Sequence, residues 1–398
     1  MKNYLIPVIP FHDQILSRGE GSYVYDIKGK RYLDLNSGQF CSIIGHSNEE
    51  LVKCVTNLSE TLVHTSSGMI SDIAIEAAEK LNCISGKMDA RSITLSTGAE
   101  AVEFAIRYAK HITNKEGVIC FSKGYHGLTL GTQSITFGGK YTSPHIDNIY
   151  SVQIPQEDDY GVCVDAFKDV INKHKDNIAA VVMEPIVSVG GMLFPNDEYF
   201  RQISTICHDT GILLVFDESQ TGFGRTGRWF CFEHFDVIPD MVVCSKGIGM
   251  GFPVSAVLFS NNLCEKSTIT MTHYSSHQND PFAARIISFG IDYIGNNNLL
   301  ESNIEKGEYF LEKLHSLCEF NTMYRNPRGR GLMLGVDFFI EGIDNYRPIY
   351  AKVYDEAASK GLLIQGTDGG RVLRFLPDYL ISKDDIDFCI NILGGIHL

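Results

Sequence analysis

Short apolar runs rich in β-branched residues recur through the middle of the chain, and they constrain the fold more than any other feature. Helical patterns, such as those at 99–110 and 199–209, lie between several of these runs. The runs are SITLS from Ser92, GVICF from Gly117, IAAVVM from Ile178, ILLVF from Ile212, MVVC from Met241 and AVLF from Ala256. Strands that are apolar along their whole length must be covered on both faces. The alternation therefore predicts an α/β fold with a largely parallel sheet between layers of helices.

The two ends of the chain show a different pattern. Residues 23–35, YVYDIKGKRYLDL, predict a hairpin with a Lys-Gly turn. After about residue 283, helical patterns are followed by two strand-like runs, RGRGLMLGVDFF and GGRVLRFL, and by a closing helix that Ser382 would cap. We therefore predict a large domain at 45–275 and a smaller α+β domain that combines 1–44 with 276–398.

The composition narrows the class of protein. The 398 residues are 44% apolar, which is enough for large cores, and the net charge of −14 is a poor match for nucleic acid. The 11 cysteines are scattered without a CxxC pair, which is typical of reduced thiols rather than of a disulfide framework or a zinc site. No signal-peptide pattern and no apolar stretch of membrane-spanning length is present in the sequence. We expect a cytoplasmic protein without a metal, a nucleic-acid partner or a membrane partner.

Polar or aromatic residues directly follow five of the predicted strands. Because the ligands of open parallel sheets bind outside the carboxyl ends of the strands, we expect these residues to share one site. They are Thr97, Gly98 and Ala99 after the first run, Tyr125 and His126 after the second, Glu184 after the third, Asp217 after the fourth and Lys246 after the fifth.

These residue types match the requirements of pyridoxal 5'-phosphate, which needs an amine, an anion near its ring nitrogen, an aromatic contact and a phosphate cradle. Lys246 supplies the amine, and burial would lower its pKa and raise its nucleophilic fraction. Asp217 supplies a carboxylate that would keep the ring nitrogen protonated and able to accept electrons. The other cofactor-binding candidates are the helix N-terminus at Gly98 and Ala99 for the phosphate, Tyr125 for a ring face, its neighbour His126, and Gln220 for the ring hydroxyl oxygen.

The motifs that carry these residues resemble those of the class III (omega) aminotransferases, which are fold type I pyridoxal-phosphate enzymes. The matching stretches are STGAEAVEFAI, GYHG, EP, FDESQTGFGRTG and CSKGIGMGFP, with GSYVYDIKGKRYLDLNSGQ, RGRGLMLG and RVLRFLP nearer the two ends. The resemblance spans nearly the whole chain and implies a mostly parallel seven-stranded sheet and a homodimer with a shared active site. It implies Lys246 as the Schiff-base lysine, Asp217 at the ring nitrogen, Gln220 near the ring hydroxyl, Gly98 and Ala99 on the phosphate, and Tyr125 on the ring face.

Three further positions bear on substrates and on the neighbouring subunit. Arg374, in RVLRFLP, matches the family arginine that binds a substrate carboxylate, and Arg371 should face the other side of the same strand. Ser276, in SSHQNDP, stands where the family often has a threonine that donates to the cofactor phosphate of the neighbouring subunit. Val189 stands where many members that use ω-amino acids carry a glutamate, which argues against ornithine-like and 4-aminobutyrate-like substrates.

Part of the sequence looks more like one subgroup, dialkylglycine decarboxylase, which couples decarboxylation to transamination. The similar features are Gln39, in NSGQF, and the SSHQNDP stretch. Val189 and Tyr125 depart from that subgroup, which has a serine and a tryptophan at these positions. We expect Gln39 to contact the substrate.

The expected activity is transfer of an amino group from an amine or amino acid to a keto acid, through a Schiff base at Lys246 and a ketimine. A decarboxylase of the dialkylglycine type, an amino-acid racemase and a phospho-lyase use the same cofactor and are alternatives. A catalytically idle cofactor-binding relative is a second alternative, and the intact pair of Lys246 and Asp217 argues against it.

Overall fold

The computed structural model describes residues 4–140, 145–156, 159–266 and 271–397. The N-terminal elements are β1 (Leu16–Glu20), β2 (Tyr23–Asp26), β3 (Arg31–Asp34), α1 (Ser37–Phe40), α2 (Glu49–Ser59) and α3 (Asp72–Ser85). Strands β2 and β3 form the predicted hairpin. Gly29 in its turn has a φ of +83°, a conformation in which a side chain would be strained. The Lys-Gly turn therefore closes this hairpin as the sequence indicates.

The middle of the chain alternates strands and helices, as predicted. Its elements are β4 (Arg91–Leu95), α4 (Gly98–Thr113), β5 (Gly117–Phe121), α5 (Leu130–Ile135), β6 (Ile149–Val152), α6 (Tyr160–His174), β7 (Ile178–Met183), α7 (Asp197–Thr210), β8 (Leu213–Asp217), β9 (Met241–Cys244), β10 (Ser255–Phe259) and α8 (Asn261–Lys266). The strands form one seven-stranded sheet in the order β4-β10-β9-β8-β7-β5-β6. Of these seven strands, only β10 is antiparallel to the strands on both of its sides. The predicted, mostly parallel seven-stranded sheet is confirmed, and β6 is a strand that the sequence reading missed.

Each apolar strand contributes to two cores, because successive side chains of a strand point to opposite faces. In β8, Val215 belongs to the core on one face of the sheet and Phe216 to the core on the other. Both side chains are 0% exposed, and burial of such a side chain stabilises the fold by about 1.5–3 kcal/mol. A strand with a polar face could not satisfy both cores, which explains why these runs are apolar throughout.

The C-terminal elements are α9 (Pro281–Asn296), α10 (Leu299–Phe320), β11 (Tyr324–Arg330), β12 (Met333–Phe338), α11 (Arg347–Ser359), β13 (Leu362–Leu363), β14 (Gln365–Thr367), β15 (Val372–Phe375) and α12 (Lys383–Gly394). They build a second sheet, in the order β11-β12-β15-β14, and β13 joins the N-terminal hairpin in a third sheet, β1-β2-β3-β13. The predicted smaller α+β part from both termini is thus confirmed, whereas the boundaries at residues 45 and 275 stay a prediction. Ser382 caps α12 by accepting a hydrogen bond from the backbone N–H of Asp385, as expected.

Arg225 joins the glycine-rich turn after β8 to the C-terminal part of the chain. Its side chain is 1% exposed, and Nη1 donates to the carbonyl oxygens of Leu332, at 3.0 Å, and Pro377, at 2.5 Å. The guanidinium also lies 4.8 Å from the ring centroid of Tyr379. One buried side chain therefore satisfies two backbone acceptors from separate segments.

We expect replacement of Arg225 by alanine to destabilise the protein by about 3 kcal/mol, because two buried carbonyls lose a donor and a cavity is left. Urea unfolding followed by circular dichroism measures this change. The matched control is Arg201→Ala on the exposed surface of α7, where Arg201 pairs with Glu198 at 3.1 Å. That change should cost less than about 1 kcal/mol. Equal losses for the two variants would contradict the role given to Arg225.

The length and apolar character of the helices in the described residues decide whether one of them could cross a membrane. None of them combines the length and the apolar character that crossing a lipid bilayer requires.

Candidate active site

A cavity of about 320 Å³ lies at the carboxyl edge of the central sheet. Strands β4, β5, β7, β8 and β9 all end at this edge, and the residues that follow them meet here, as predicted. The cavity is lined by Gln39, Gly98, Ala99, Tyr125, His126, Gly127, Leu128, Glu184, Asp217, Ser219, Gln220, Ser245 and Lys246. Among the residues that the sequence indicated for the site, Thr97, Ser276 and Arg374 do not line it.

Asp217, the last residue of β8, is held as a buried carboxylate. Its Oδ2 lies 2.8 Å from Nδ1 of His126, and its Oδ1 accepts a hydrogen bond from the backbone N–H of Ser219 at 3.1 Å. Burial acts to raise the pKa of Asp217, but these hydrogen bonds and the charge of Lys246 hold the pKa below its ordinary value. The side chain is therefore an anion at neutral pH, although it is only 4% exposed.

Lys246 lies two residues after the end of β9, at the start of a 3-10 turn, Lys246–Gly249. Its φ is +50°, which is uncommon for a residue with a side chain and is often found at functional sites. Burial lowers the pKa of Lys246 below its ordinary value, against the opposing charge of Asp217. The lower pKa raises the fraction of neutral amine, which is the nucleophilic form.

Gln220 presents an unsatisfied polar atom in the same cavity. The residue is 8% exposed, and its Oε1 has no hydrogen-bond partner among the described residues. A buried acceptor without a donor is destabilising. The free Oε1 therefore indicates that a ligand in the cavity donates a hydrogen bond to Gln220.

The loop after β5 packs closely on the start of α4. Gly127 has a φ of +107°, and a Cβ atom there would lie 2.6 Å from Cβ of Ala99. A Cβ atom on Gly98 would in turn lie 3.1 Å from Cβ of Ser245. The first backbone N–H groups of a helix lack helical acceptors, so Gly98 and Ala99 bring an anion-binding end to the cavity.

Glu184 accepts hydrogen bonds from the backbone at Tyr125, after β5, and at Ser188, after β7. One carboxylate oxygen accepts from the backbone N–H of Tyr125 at 2.8 Å, and the other accepts from Ser188 at 3.4 Å. Burial raises the pKa of Glu184 to about 7, with His126 opposing and Asp217 adding to the shift. Tyr125 is half-buried, with its ring 6.0 Å from that of Phe137.

Gln39 lies in a loop that Asp34 fixes. The carboxylate of Asp34 accepts from the backbone N–H groups of Asn36 at 3.0 Å and Gly38 at 2.7 Å. His46 contacts the same carboxylate at 2.9 Å. Gln39 is exposed at the cavity, directly after Gly38.

Arg374 lies close to the cavity but not in its lining. It is 4% exposed, whereas Arg371 is exposed. Arg371 lies just before β15 and not within it, so its exposure does not test the predicted alternation along the strand. Arg374 acts on the cavity through its charge, which lowers the pKa of Lys246. Sequence reasoning missed the two residues that hold Arg374, Ser188 and Gln365.

Ser276 is exposed in the turn before α9, away from the cavity of its own chain. Its neighbour Ser275 donates from Oγ to Oε1 of Glu100 at 2.9 Å, so the turn is tied to the first turn of α4. The prediction for Ser276 concerns a neighbouring subunit and stays a prediction.

The site combines an amine of lowered pKa, a buried anion, an unsatisfied acceptor, a helix N-terminus and an aromatic ring. This set fits a flat, phosphorylated and cationic heterocycle that carries an aldehyde. The unsatisfied Oε1 of Gln220 and the close approach at Gly98 are the observations that test the fit, and both agree with it.

Comparison with known proteins agrees with this chemistry. The model of the family described as aminotransferase class III matches residues 9–396. The acetylornithine aminotransferase of Methanosarcina acetivorans is 34% identical, over 95% of this chain and 90% of its own. The LysW-aminoadipate semialdehyde/glutamate semialdehyde transaminase of Sulfolobus acidocaldarius is 32% identical, over 94% of this chain and 92% of its own.

Solved structures of transaminases share the fold. An aminotransferase of Bacillus anthracis superposes with a TM-score of 0.91 and 29% identity, over 98% of this chain and 95% of its own. A transaminase of the marine bacterium Virgibacillus superposes with a TM-score of 0.92 and 25% identity, over the same shares of the two chains.

Proposed function

Because this chain belongs to the class III aminotransferases, which depend on pyridoxal phosphate, we propose that the cavity at the carboxyl edge is its cofactor and reaction site. Such an enzyme moves an amino group from a donor to a keto-acid acceptor. The observation that carries the assignment is that Lys246 and Asp217, from separate strands, line one cavity beside the unsatisfied Oε1 of Gln220.

Bound pyridoxal phosphate supplies an aldehyde that condenses with amines and a ring that accepts the electrons released at a substrate carbon. Lys246 would hold the cofactor through Nζ and, when displaced by substrate, would move a proton at the substrate carbon as base and acid. Its lowered pKa favours both roles, because a larger fraction of the amine is neutral than at the ordinary pKa.

Asp217 would keep the ring nitrogen of the cofactor protonated. His126 orients the carboxylate through the 2.8 Å contact with Oδ2, and so acts as a positioning residue. The second oxygen is fixed by Ser219. A carboxylate that is already oriented needs no reorganisation when charge develops, which favours electrostatic stabilisation.

The remaining cofactor contacts would come from three elements. The N-terminus of α4, at Gly98 and Ala99, would bind the phosphate. Tyr125 would stack on a ring face, held by the hydrogen bond from its backbone N–H to Glu184. Gln220 would reach the ring hydroxyl, whose O–H would donate to the buried Oε1.

Substrate contacts would come from Arg374 and Gln39. The planar guanidinium of Arg374 suits a carboxylate, and its charge already acts on Lys246. Gln39 is exposed at the cavity and follows Gly38, whose backbone N–H is held by Asp34, which suits a residue that meets the incoming substrate.

We also infer a homodimer in which the partner completes the site, with Ser276 facing the partner's phosphate. Large apolar side chains are exposed at Leu128, which lines the cavity, and at Leu130, Met69 and Ile70. Exposed apolar patches of this kind favour a protein partner.

All 11 cysteines are free thiols, which favours a cytoplasmic location, and the net charge of −14 argues against nucleic acid as a partner. We also propose that the protein does not act at a membrane.

A decarboxylating transaminase of the dialkylglycine type is the second candidate. The observation in its favour is Gln39, whose amide lies at the cavity where it could bind a carboxylate that leaves. Val189 and Tyr125 argue against it, since they differ from that subgroup.

A spectral and product screen tests the function. We expect the purified protein with added cofactor to be yellow, to bleach with borohydride, and to change colour with amino donors, N-acetylornithine included. Keto-acid production indicates transamination, CO₂ release indicates the decarboxylase, and loss of optical activity alone indicates a racemase. A protein that is colourless after incubation with excess cofactor and removal of the unbound cofactor would overturn the assignment.

A further inference from the structure

Three of the four residues in α1 have a backbone in the left-handed region. The φ of Ser37 is +42°, that of Gly38 is +73° and that of Phe40 is +65°. This conformation suits glycine, but it costs about 1–3 kcal/mol at a residue with a side chain and persists only where the surroundings hold it. We call residues 37–40 the Gln39 loop, because Gln39 is its member in the lining of the cavity.

Both ends of the Gln39 loop are anchored in the core. Ser37 is 1% exposed, and its Oγ donates to the carbonyl oxygen of Leu376 at 2.8 Å. Phe40 at the other end is 2% exposed. Gln39 itself is exposed, so its position depends on what holds the backbone of Gly38 before it.

Asp34 holds this backbone, and His46 holds Asp34. Oδ2 of Asp34 accepts a hydrogen bond from the backbone N–H of Gly38 at 2.7 Å and lies 2.9 Å from Nε2 of His46. Because a carboxylate offers only acceptors, Nε2 of His46 is the donor. His46 is fixed in turn by two backbone hydrogen bonds with Gly21, at 2.8 and 2.9 Å. A continuous set of contacts therefore joins the N-terminal hairpin to the backbone next to Gln39.

We propose that Asp34 and His46 are positioning residues that hold Gln39 in the orientation in which it binds the amino donor. The inference rests on the proposed function, in which Gln39 contacts the substrate. Neither Asp34 nor His46 lines the cavity, so both act on the donor through the Gln39 loop. The loop must be ordered in the substrate complex and in the transition state alike. Loss of its support should therefore weaken binding of the donor without slowing the chemical step.

The test is His46→Ala in the cofactor-loaded protein, with the absorption of the bound cofactor followed in single turnovers. The probe is the amino donor that gives the fastest colour change in the spectral screen, N-acetylornithine included. We expect the donor concentration at half-maximal rate to rise at least about fivefold, because a hydrogen bond to a carboxylate is lost. The limiting rate should change less than about twofold, and the spectrum before donor is added should stay the same.

Two further variants serve as controls for His46→Ala. His46→Gln keeps an N–H donor at a similar reach and should bring the half-maximal concentration back to within about twofold of the parent value. His208→Ala removes a histidine that pairs with Asp209 at 3.4 Å on the exposed end of α7, and it should leave both values unchanged.

A double-mutant cycle distinguishes a positioning role from a merely structural one. In the Gln39→Ala background, His46→Ala should raise the half-maximal concentration less than about twofold, because the side chain to be positioned is gone. If His46→Ala does not fold, Asp34→Asn takes its place with the same expected results, since the amide keeps the size of the carboxylate but has one acceptor oxygen fewer. An equal rise in both backgrounds, or no rise in a folded, cofactor-loaded variant, overturns the inference. A parent chain that does not bind cofactor would instead overturn the proposed function, so the two failures are distinguishable.

Discussion

Replacement of Lys246 by alanine is expected to lower kcat by at least roughly 10³-fold, because one side chain supplies both the covalent attachment and the proton transfer. The backbone at residue 246 has a φ of +50°, and alanine tolerates it about as well as lysine does. We therefore expect little change in the unfolding midpoint. Steady-state production of keto acid measures the rate, and borohydride reduction followed by mass spectrometry measures attachment.

The matched control for Lys246 is Lys360→Ala at the exposed C-terminal end of α11, where Lys360 pairs with Glu356 at 2.8 Å. It should retain the full rate and the borohydride-dependent attachment. Normal turnover in the Lys246 variant, with this control also active, would refute the assignment of the site.

Asp217→Asn is expected to lower kcat by roughly 10²–10³-fold while the cofactor still binds. The amide keeps the shape of the side chain but removes the charge that would keep the ring nitrogen protonated. It also removes the negative charge that raises the pKa of Lys246, so that pKa should fall further below its ordinary value. Turnover, cofactor content and the absorption spectrum as a function of pH measure the three effects.

Asp240→Asn provides the control at the opposite end of the same strand, where Oδ2 of Asp240 accepts from the backbone N–H of Leu214 at 2.8 Å. An amide oxygen can still accept that hydrogen bond, and no reacting group is near. This variant should keep its rate. If both variants lost the same activity, the loss would come from β8 and not from the charge at the ring.

The sequence predicts the central sheet and its reactive edge because both depend on local patterns. An apolar run identifies a strand, and the residue after the run must lie at the edge of the sheet, so Asp217 and Lys246 were predictable as neighbours. Strand β6, in contrast, lies at the sheet border and is only partly buried, with the pattern IYSV. A strand with one neighbour does not need to be apolar throughout, and the pattern therefore did not reveal it.

The surroundings of Arg374 could not be predicted in this way. Gln365 meets it only because β14 and β15 pair in one register, and Ser188 meets it across 186 positions of sequence. Contacts of this kind depend on how separate parts of the chain dock, which no periodicity in a single segment reports.

The two-residue strand β13 has a consequence for the order in which the newly made chain can fold. Leu362 and Leu363 pair with Leu33 and Asp34 of β3, so the N-terminal hairpin acquires this neighbour only after most of the protein has left the ribosome. The seven strands that carry the reactive edge, in contrast, all lie between residues 91 and 259. During synthesis Lys246 and Asp217 can therefore come together while β15, which carries Arg374, is still to be translated.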